Sequence, residues 1–412
     1  MGSSVHRGSS SKRHSLLFYG LLALPACFAP LSIDLLVPSL PSLADDLAAG
    51  LSDTQLSIYA FVLAYGLAPF FWGSLSDRYG RKPLLLLGIL LYAVMSLACT
   101  VAPSITTLVV LRFFQGFAAA AGIVVARAML RDRYGAEGTT RAISTLYMFL
   151  AIIPIVLPIV GGYLSLFLAW TDLFLTMFVI AIVSLLGAAW RVPETLSKTV
   201  GSEADGQAPA NATLGSREIL ANKQFLRSTF INMFAMSGTV LFVGNYSFLS
   251  SQLYHATAQE NGYILACFNF SLACGIYLVR GFVPAFGVSS TIRIGVGVLA
   301  AAWFGVAGYS AVGVPSAMLV MALIMLASFG HGIIMALSPG EALVPFSVGA
   351  GKASAIYGCI QSVGAALISY TVALLGLQQL SEVSKAVALC ALCMALCFFF
   401  IKSSPESASD RD

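Results

Sequence analysis

An acid and an arginine lie well inside long apolar runs, and their types set the chemistry open to this chain. Asp34 stands in Ile33-Asp34-Leu35-Leu36-Val37-Pro38-Ser39-Leu40-Pro41, and Arg112 in Leu108-Val109-Val110-Leu111-Arg112-Phe113-Phe114-Gln115-Gly116. A carboxylate taken out of water is driven toward its neutral form, and a nearby cation drives it back. Its affinity for a proton then follows its surroundings, which is what a coupling site needs. An arginine in hydrocarbon is expensive unless paired or hydrated, so it is a functional candidate by default. At ~1.5 Å per residue, Asp34 sits ~9 Å from the outer end of its run and Arg112 at about the same depth in another, so the two could pair. Two plainer readings stay open: Asp34 caps local structure before the Pro38 and Pro41 turn, and Arg112 is a structural residue tied to helix-end carbonyls.

Two further strings combine charge or bending with close approach. Gly73-Ser74-Leu75-Ser76-Asp77-Arg78-Tyr79-Gly80-Arg81-Lys82-Pro83 is a turn with a cationic cluster at a helix end; its glycines allow a tight backbone and Pro83 can open the next helix. Pro154-Ile155-Val156-Leu157-Pro158-Ile159-Val160-Gly161-Gly162 places two prolines four apart, which bend a helix, beside paired glycines, which let a neighbour approach.

These residues need a scaffold, and the composition dictates which one. Of 412 residues, 58% are hydrophobic and 10% charged, far from the roughly 25% charge of a soluble domain. Apolar stretches of about 20 residues, the length that crosses a bilayer, recur from end to end. In lipid every backbone amide must be paired within its segment or a closed barrel, and runs this continuous exclude alternating barrel strands. The fold class is therefore all-α and membrane-spanning. The runs predict twelve spans near 15–40, 54–75, 83–102, 106–129, 142–165, 169–190, 227–250, 259–281, 290–310, 314–338, 350–376 and 383–402. A hydrophilic segment at 191–226 divides them six and six. The domains expected are a tail at 1–14, bundles at 15–190 and 227–402, the linker 191–226 and a tail at 403–412. Arg7, Lys12 and Arg13 precede the first run like a signal peptide, but the run continues into Asp34 and Pro38, so it reads as a retained span.

Basic residues set the orientation. With the N-terminus inside, Arg78, Arg81, Lys82, Arg131, Arg133, Arg141, Arg191, Lys198, Arg217, Lys223, Arg280, Arg293 and Lys352 all fall in inner loops, Lys402 and Arg411 in the tail, and essentially only Lys385 outside. This predicts cytoplasmic termini. The net charge of +4 adds no case for nucleic acid. Eight cysteines sit mostly in apolar runs, and Cys390, Cys393 and Cys397 share a face with no histidine or carboxylate beside them, so packing rather than metal binding is expected.

The spacing Gly73-x-x-x-Asp77-Arg78-x-Gly80-Arg81-Lys82 resembles the signature loop of the major facilitator superfamily. Arg112-x-x-Gln115-Gly116 followed by the small residues Ala118 to Gly122 is similar to that family's fourth-span motif. The Pro154 to Gly162 string resembles the motif of its drug:proton antiporters, with Leu157 where many members have glycine. Asp34-x-x-x-Pro38-x-x-Pro41, Arg127-x-x-x-Arg131-Asp132 and the Gly351 to Gln361 string point to the Bcr/CflA drug-resistance subfamily. The resemblance implies two six-helix bundles with a cargo cavity between them and alternating access. It implies proton coupling at Asp34 and Arg112, a latch at Gly73, Asp77, Arg78, Gly80 and Arg81 with Asp77 facing the eleventh helix, and a hinge at Pro154, Pro158, Gly161 and Gly162. The matching place in the second half, Gly275 to Gly281, has Val279 where the acid should stand, so the second latch is degenerate or absent.

Within the apolar runs His331, Asn232, Asn245, Asn269 and Gln361 could line a polar path; Asn269 and Gln361 are kept as cavity candidates. The aromatic residues Phe61, Tyr65, Phe149, Phe242 and Tyr246 would suit a lipophilic cargo. The expectation is a proton-coupled exporter of small lipophilic molecules or drugs in the bacterial inner membrane. Its partners are a small-molecule substrate, protons and membrane lipids, with no cofactor and a monomer as the simplest state. A dedicated exporter of one metabolite, such as a siderophore or amino acid, is the alternative. A channel or sensor is argued against by the intramembrane acid and the hinge. An enzyme is the least supported reading, because no nucleophile-base arrangement, phosphate loop or metal-ligand cluster stands at useful spacing.

Overall fold

The structure, a computed structural model, describes residues 18–196, 215–312, 316–346, 350–377 and 379–400. The tails expected at 1–14 and 403–412 and most of the 191–226 linker, with Arg7, Lys12, Arg13, Lys198, Lys402 and Arg411, lie outside these residues.

Every regular element among the described residues is a helix. Ten helices are long and apolar enough to cross a membrane, and two bent pairs bring the number to twelve if each pair is one span. The first pair is Phe18–Ala26 with Phe28–Asp46, bent by 45°, and the second is Leu51–Leu67 with Pro69–Tyr79, bent by 43°. Pro69 opens the second half of its pair, where it brings no amide to the helix and its ring disfavours a straight continuation. Spans three to six are Arg81–Thr100, Ile105–Gly135, Ala142–Leu164 and Trp170–Arg191. Spans seven to twelve are Lys223–Tyr254, Ala258–Phe286, Val288–Ser310, Ala317–Leu343, Gly351–Leu374 and Leu380–Phe400. The helices outrun the apolar stretches: the fourth was expected at 106–129 and extends to Gly135, and the seventh, expected at 227–250, begins at Lys223. Hydropathy marks where lipid ends, whereas a helix ends where its hydrogen bonds do.

The chain forms two compact units, Met1–Gly206 with His255–Ala266, and Gln207–Tyr254 with Cys267–Asp412. This division departs from a simple six-plus-six boundary at the first residues of the eighth span. The reason is local: a Cβ at Gly162 would meet the Ala258 carbonyl oxygen at 2.7 Å, and one at Gly262 would overlap the Pro158 carbonyl. Tyr163 and Tyr263 join hydroxyls at 2.6 Å across the same contact.

Within the first unit, small residues on the fourth span bring backbones together. Ala118 to Ala121 are buried. Side chains at Gly116 and Gly122 would overlap the carbonyls of Phe61 and Pro25, so the second and first spans lie directly against the fourth. With no hydrophobic driving force between helices in lipid, such van der Waals contact is what holds a bundle together. In the second unit the seventh span packs against the tenth, eleventh and twelfth, and the ninth against the tenth and twelfth.

Candidate functional site

The first span stops being an α-helix at Asp34 and re-forms as a 3-10 turn over Val37–Ser39. Pro38 lies in that turn. The Leu36 amide bonds the Ile33 carbonyl at 3.2 Å instead of reaching back to Ser32, and the Ser32 carbonyl is left for another donor. Arg112 Nη2 takes it, at 3.1 Å, while Nη1 donates to Gln115 Oε1 at 2.7 Å. Gln115 Nε2 donates to Ser96 Oγ at 2.8 Å, and the Ser32 and Tyr92 hydroxyls join at 2.7 Å. The guanidinium also lies over the Phe61 ring at 4.4 Å and near Phe174 at 5.8 Å. Arg112 is 0% exposed and Asp34 7%.

Thus the structure brings Asp34 and Arg112 to one level of the bundle, with the carbonyl that Arg112 holds two residues before the acid on the first span, but the direct pair considered from sequence is not the contact it shows. Arg112 ties a carbonyl freed by the Pro38 turn, the plainer of its two readings. Its charge is met by neutral oxygens and ring faces.

Asp77, in the last turn of the second span rather than in a loop, pairs with Arg81 Nη1 at 2.6 Å. The Arg81 side chain is buried and bonds Asp132 Oδ2 through Nε at 2.8 Å and Ser76 Oγ through Nη1 at 2.8 Å. Arg78 is exposed, with its guanidinium 5.4 Å from the Tyr79 ring. Gly80 has φ 100°, and a Cβ there would meet Glu194 Oε2 at 2.8 Å, so glycine is required. The third span begins at Arg81, two residues before the expected Pro83, because Glu194 receives its first amides. Arg81 N donates to Oε1 at 3.0 Å and Lys82 N to Oε2 at 3.1 Å, as a carboxylate at a helix amino end should. Gly73 has open space where a Cβ would stand.

Partial burial pushes the Glu194 carboxyl up, but the amides of Leu196, Arg81, Lys82 and Thr195 outweigh it and hold the group below the usual carboxylate range. A depressed acid stabilises the fold above its unfolded pKa, about 4.3, and that contribution is lost as pH falls through the lower folded value. In pH-dependent thermal unfolding, Glu194→Gln should therefore trail wild type by a constant margin above about pH 5.5, and the margin should close under more acid conditions.

In the fifth span Pro154 and Pro158 lie inside the helix. A Cβ at Gly161 would overlap the carbonyl oxygen of Leu35, the residue after Asp34. The paired glycines thus serve two neighbours, Gly161 the first span and Gly162 the start of the eighth. Gly161→Ala should lower thermal stability by about 1–3 kcal/mol through overpacking, whereas Gly73→Ala, with free space, should cost little.

Asn269 and Gln361 are half-buried on the eighth and eleventh spans. Phe242 and Tyr246 stack at 5.0 Å inside the second unit and Phe61 is wholly buried in the first. All eight cysteines are free thiols, and among the described residues no three His, Cys, Asp or Glu side chains form a metal-binding group.

The sequence reading missed Glu194, and it missed an acid in the second unit. Glu341, near the end of the tenth span, is 8% exposed. It pairs with Arg227 and accepts from Ser228 Oγ at 2.7 Å. Asp34 is therefore not alone as a carboxylate buried in a bundle. The signal was present: Pro339 and Gly340 disguise a helix end as a loop.

Residues 22–369 match the Major Facilitator Superfamily, and the chain belongs to that family: it is a multi-pass membrane transporter and not an enzyme. Over 71% of this chain it is 31% identical to an uncharacterized MFS-type transporter, YdgK, of Bacillus subtilis (strain 168), covering 72% of that protein. A bicyclomycin resistance protein homolog of Haemophilus influenzae is 28% identical over 69% of this chain and 71% of its own. A solved structure of the nucleoside transporter NupG aligns with TM-score 0.72 at 14% identity over 94% of this chain and 98% of that one.

Proposed function

We propose that this chain is a proton-coupled antiporter that exports small lipophilic molecules or drugs across the bacterial inner membrane, with both termini cytoplasmic. The observation carrying this reading is the buried Asp34 two residues from the Ser32 carbonyl that Arg112 grips. Asp34 is the proton carrier. Arg112 holds the Ser32 carbonyl at the helix break, and that grip makes the surroundings of Asp34 sensitive to movement of the first span. Gly161, against Leu35, ties the fifth span to the same break, so bending at Pro154 and Pro158 reaches the acid. Asp77, Arg78, Gly80 and Arg81, with Asp132 and Glu194, form the charged latch, with Gly73 on the helix leading into it. Asn269 and Gln361 contribute to cargo binding. Drug export draws support from the resistance-protein homolog.

The test is energised efflux of a panel of lipophilic dyes, antibiotics and siderophores from cells expressing the protein, with and without a protonophore. Protonophore-sensitive export of several unrelated compounds is expected. Export of one compound alone would replace the cargo assignment with the dedicated exporter, and protonophore-resistant export would remove the coupling.

A further inference from the structure

The second unit carries a row of buried polar groups that the coupling site does not use. Along the tenth span His331, Ser338 and Glu341 are buried; spacings of seven and three put them on one helical face. Contacts at both ends show that this face is turned to the seventh span. His331 Nδ1 and Thr239 Oγ1 lie 2.7 Å apart, and Glu341 bonds Arg227 and Ser228. On the seventh span Asn232, seven residues before Thr239, is 1% exposed and donates to the Tyr357 hydroxyl at 2.6 Å. From His331 to Glu341 the row runs ~15 Å along the helix.

Three atoms in this seam take no hydrogen bond from any described residue: His331 Nε2, Ser338 Oγ and Asn232 Oδ1. Leaving one such group unpaired costs about 1–3 kcal/mol, and three in one seam call for a shared partner. Buried water bridges polar groups of this kind with two to four hydrogen bonds each. The seam is held firmly enough to be a fixed feature. Side chains at Gly330 and Gly332 would strike the ninth-span backbone at 2.8 Å and overlap the Leu272 carbonyl, which locks the tenth helix on either side of His331. The charged and titratable groups around it are Arg227, Glu341, His331 and Tyr357, with Arg293 of the ninth span sharing the Phe398 ring with Arg227.

We propose that the seam between the seventh and tenth spans is a hydrated proton path, linking His331 in the interior of the second unit through Ser338 and Asn232 to Glu341 at the cytoplasmic end. It rests on the proton-coupled reading above. A proton leaves the His331 imidazolium Nε2 to a water. Water and the Ser338 hydroxyl each gain one proton and pass on another, while Asn232 Oδ1 accepts a hydrogen bond from the water and holds it in the row; the last transfer reaches the Glu341 carboxylate, which releases the proton to cytoplasmic water as Arg227 restores the ion pair. Only N–H and O–H bonds are exchanged; the seam ends one positive charge lower, and the starting state returns when His331 Nε2 takes up the next proton. Ser338 is the one tenth-span hydroxyl between the two titratable ends.

The experiment uses the full-length protein in proteoliposomes, with a gradient of ethidium driving proton movement read by an internal pH dye. Ser338→Val and Ser338→Thr introduce side chains of the same shape, and only the second keeps the hydroxyl. Valine should lower ethidium-driven proton flux about tenfold, the scale of one lost buried hydrogen bond, threonine should restore it to within about twofold, and ethidium affinity at fixed pH should match in both. Should the larger side chains prevent folding, Ser338→Ala against wild type supplies the same comparison. Equal flux with and without the hydroxyl, in a protein whose wild type moves protons, overturns the path and leaves the coupling standing. No ethidium-linked proton movement in wild type overturns the coupling reading and the path together.

Discussion

Asp34→Asn is expected to abolish energised efflux while leaving the protein folded. Asparagine matches the shape and polarity of the neutral acid, so the turn before Pro38 should survive, but it cannot bind and release a proton. Each coupled proton crossing two pH units contributes about 2.7 kcal/mol, about a hundredfold cargo gradient. Loss of the carrier should therefore lower steady-state export about a hundredfold at that gradient. Thermal stability in detergent should change little, since a neutral side chain in a largely buried place carries no charge-desolvation penalty. Dye efflux from energised cells, normalised to protein level, reads the first effect and thermal unfolding the second. Protonophore-sensitive efflux persisting in Asp34→Asn at wild-type rate would remove Asp34 from the coupling.

Arg112→Met should be damaging in a different way. It removes the donors of the Ser32 carbonyl and of Gln115 Oε1, leaving buried acceptors that each cost about 1–3 kcal/mol. Stability should therefore fall by several kcal/mol together with transport. Arg112→Lys separates charge from geometry. An ammonium keeps the cation but not the planar fork that spans two acceptors at fixed angles, so transport should remain impaired although part of the stability returns. Full transport in Arg112→Lys would show that charge alone is needed; full stability in Arg112→Met would contradict the structural tie.

How much of this was legible depended on what kind of signal each residue leaves. The spans were, because lipid imposes a length and an apolar content that twelve stretches satisfy, and the bent first and second spans fall where proline and its neighbours interrupt them. The burial of Asp34 and Arg112 was legible for the same reason: a charged residue amid apolar neighbours has nowhere else to go. The partner of Arg112 was not, since it is a backbone carbonyl exposed only once the Pro38 turn withdraws the Leu36 amide. Glu194 was hidden in a polar linker, where acids are common, and its role as a cap for the third span arises only when chain segments 112 and 113 residues apart meet. Arg227 opens the seventh apolar run and Glu341 lies three residues past the tenth, at helix ends that hydropathy cuts short, so neither stood out as a buried charge. Gly161 and Gly162 were singled out for close approach, but the neighbours they serve, Leu35 and Ala258, depend on packing that spacing does not encode.

The central claim is that proton and cargo movements are linked in opposite directions. Purified protein in proteoliposomes, with an imposed pH gradient acid inside and equal ethidium on both sides, tests it most directly. Antiport predicts that lumenal ethidium rises above the external concentration as protons leave the lumen, that the imbalance collapses with a protonophore, and that it is absent in Asp34→Asn for protein inserted in either orientation. Ethidium movement indifferent to the pH gradient in the wild type would contradict it.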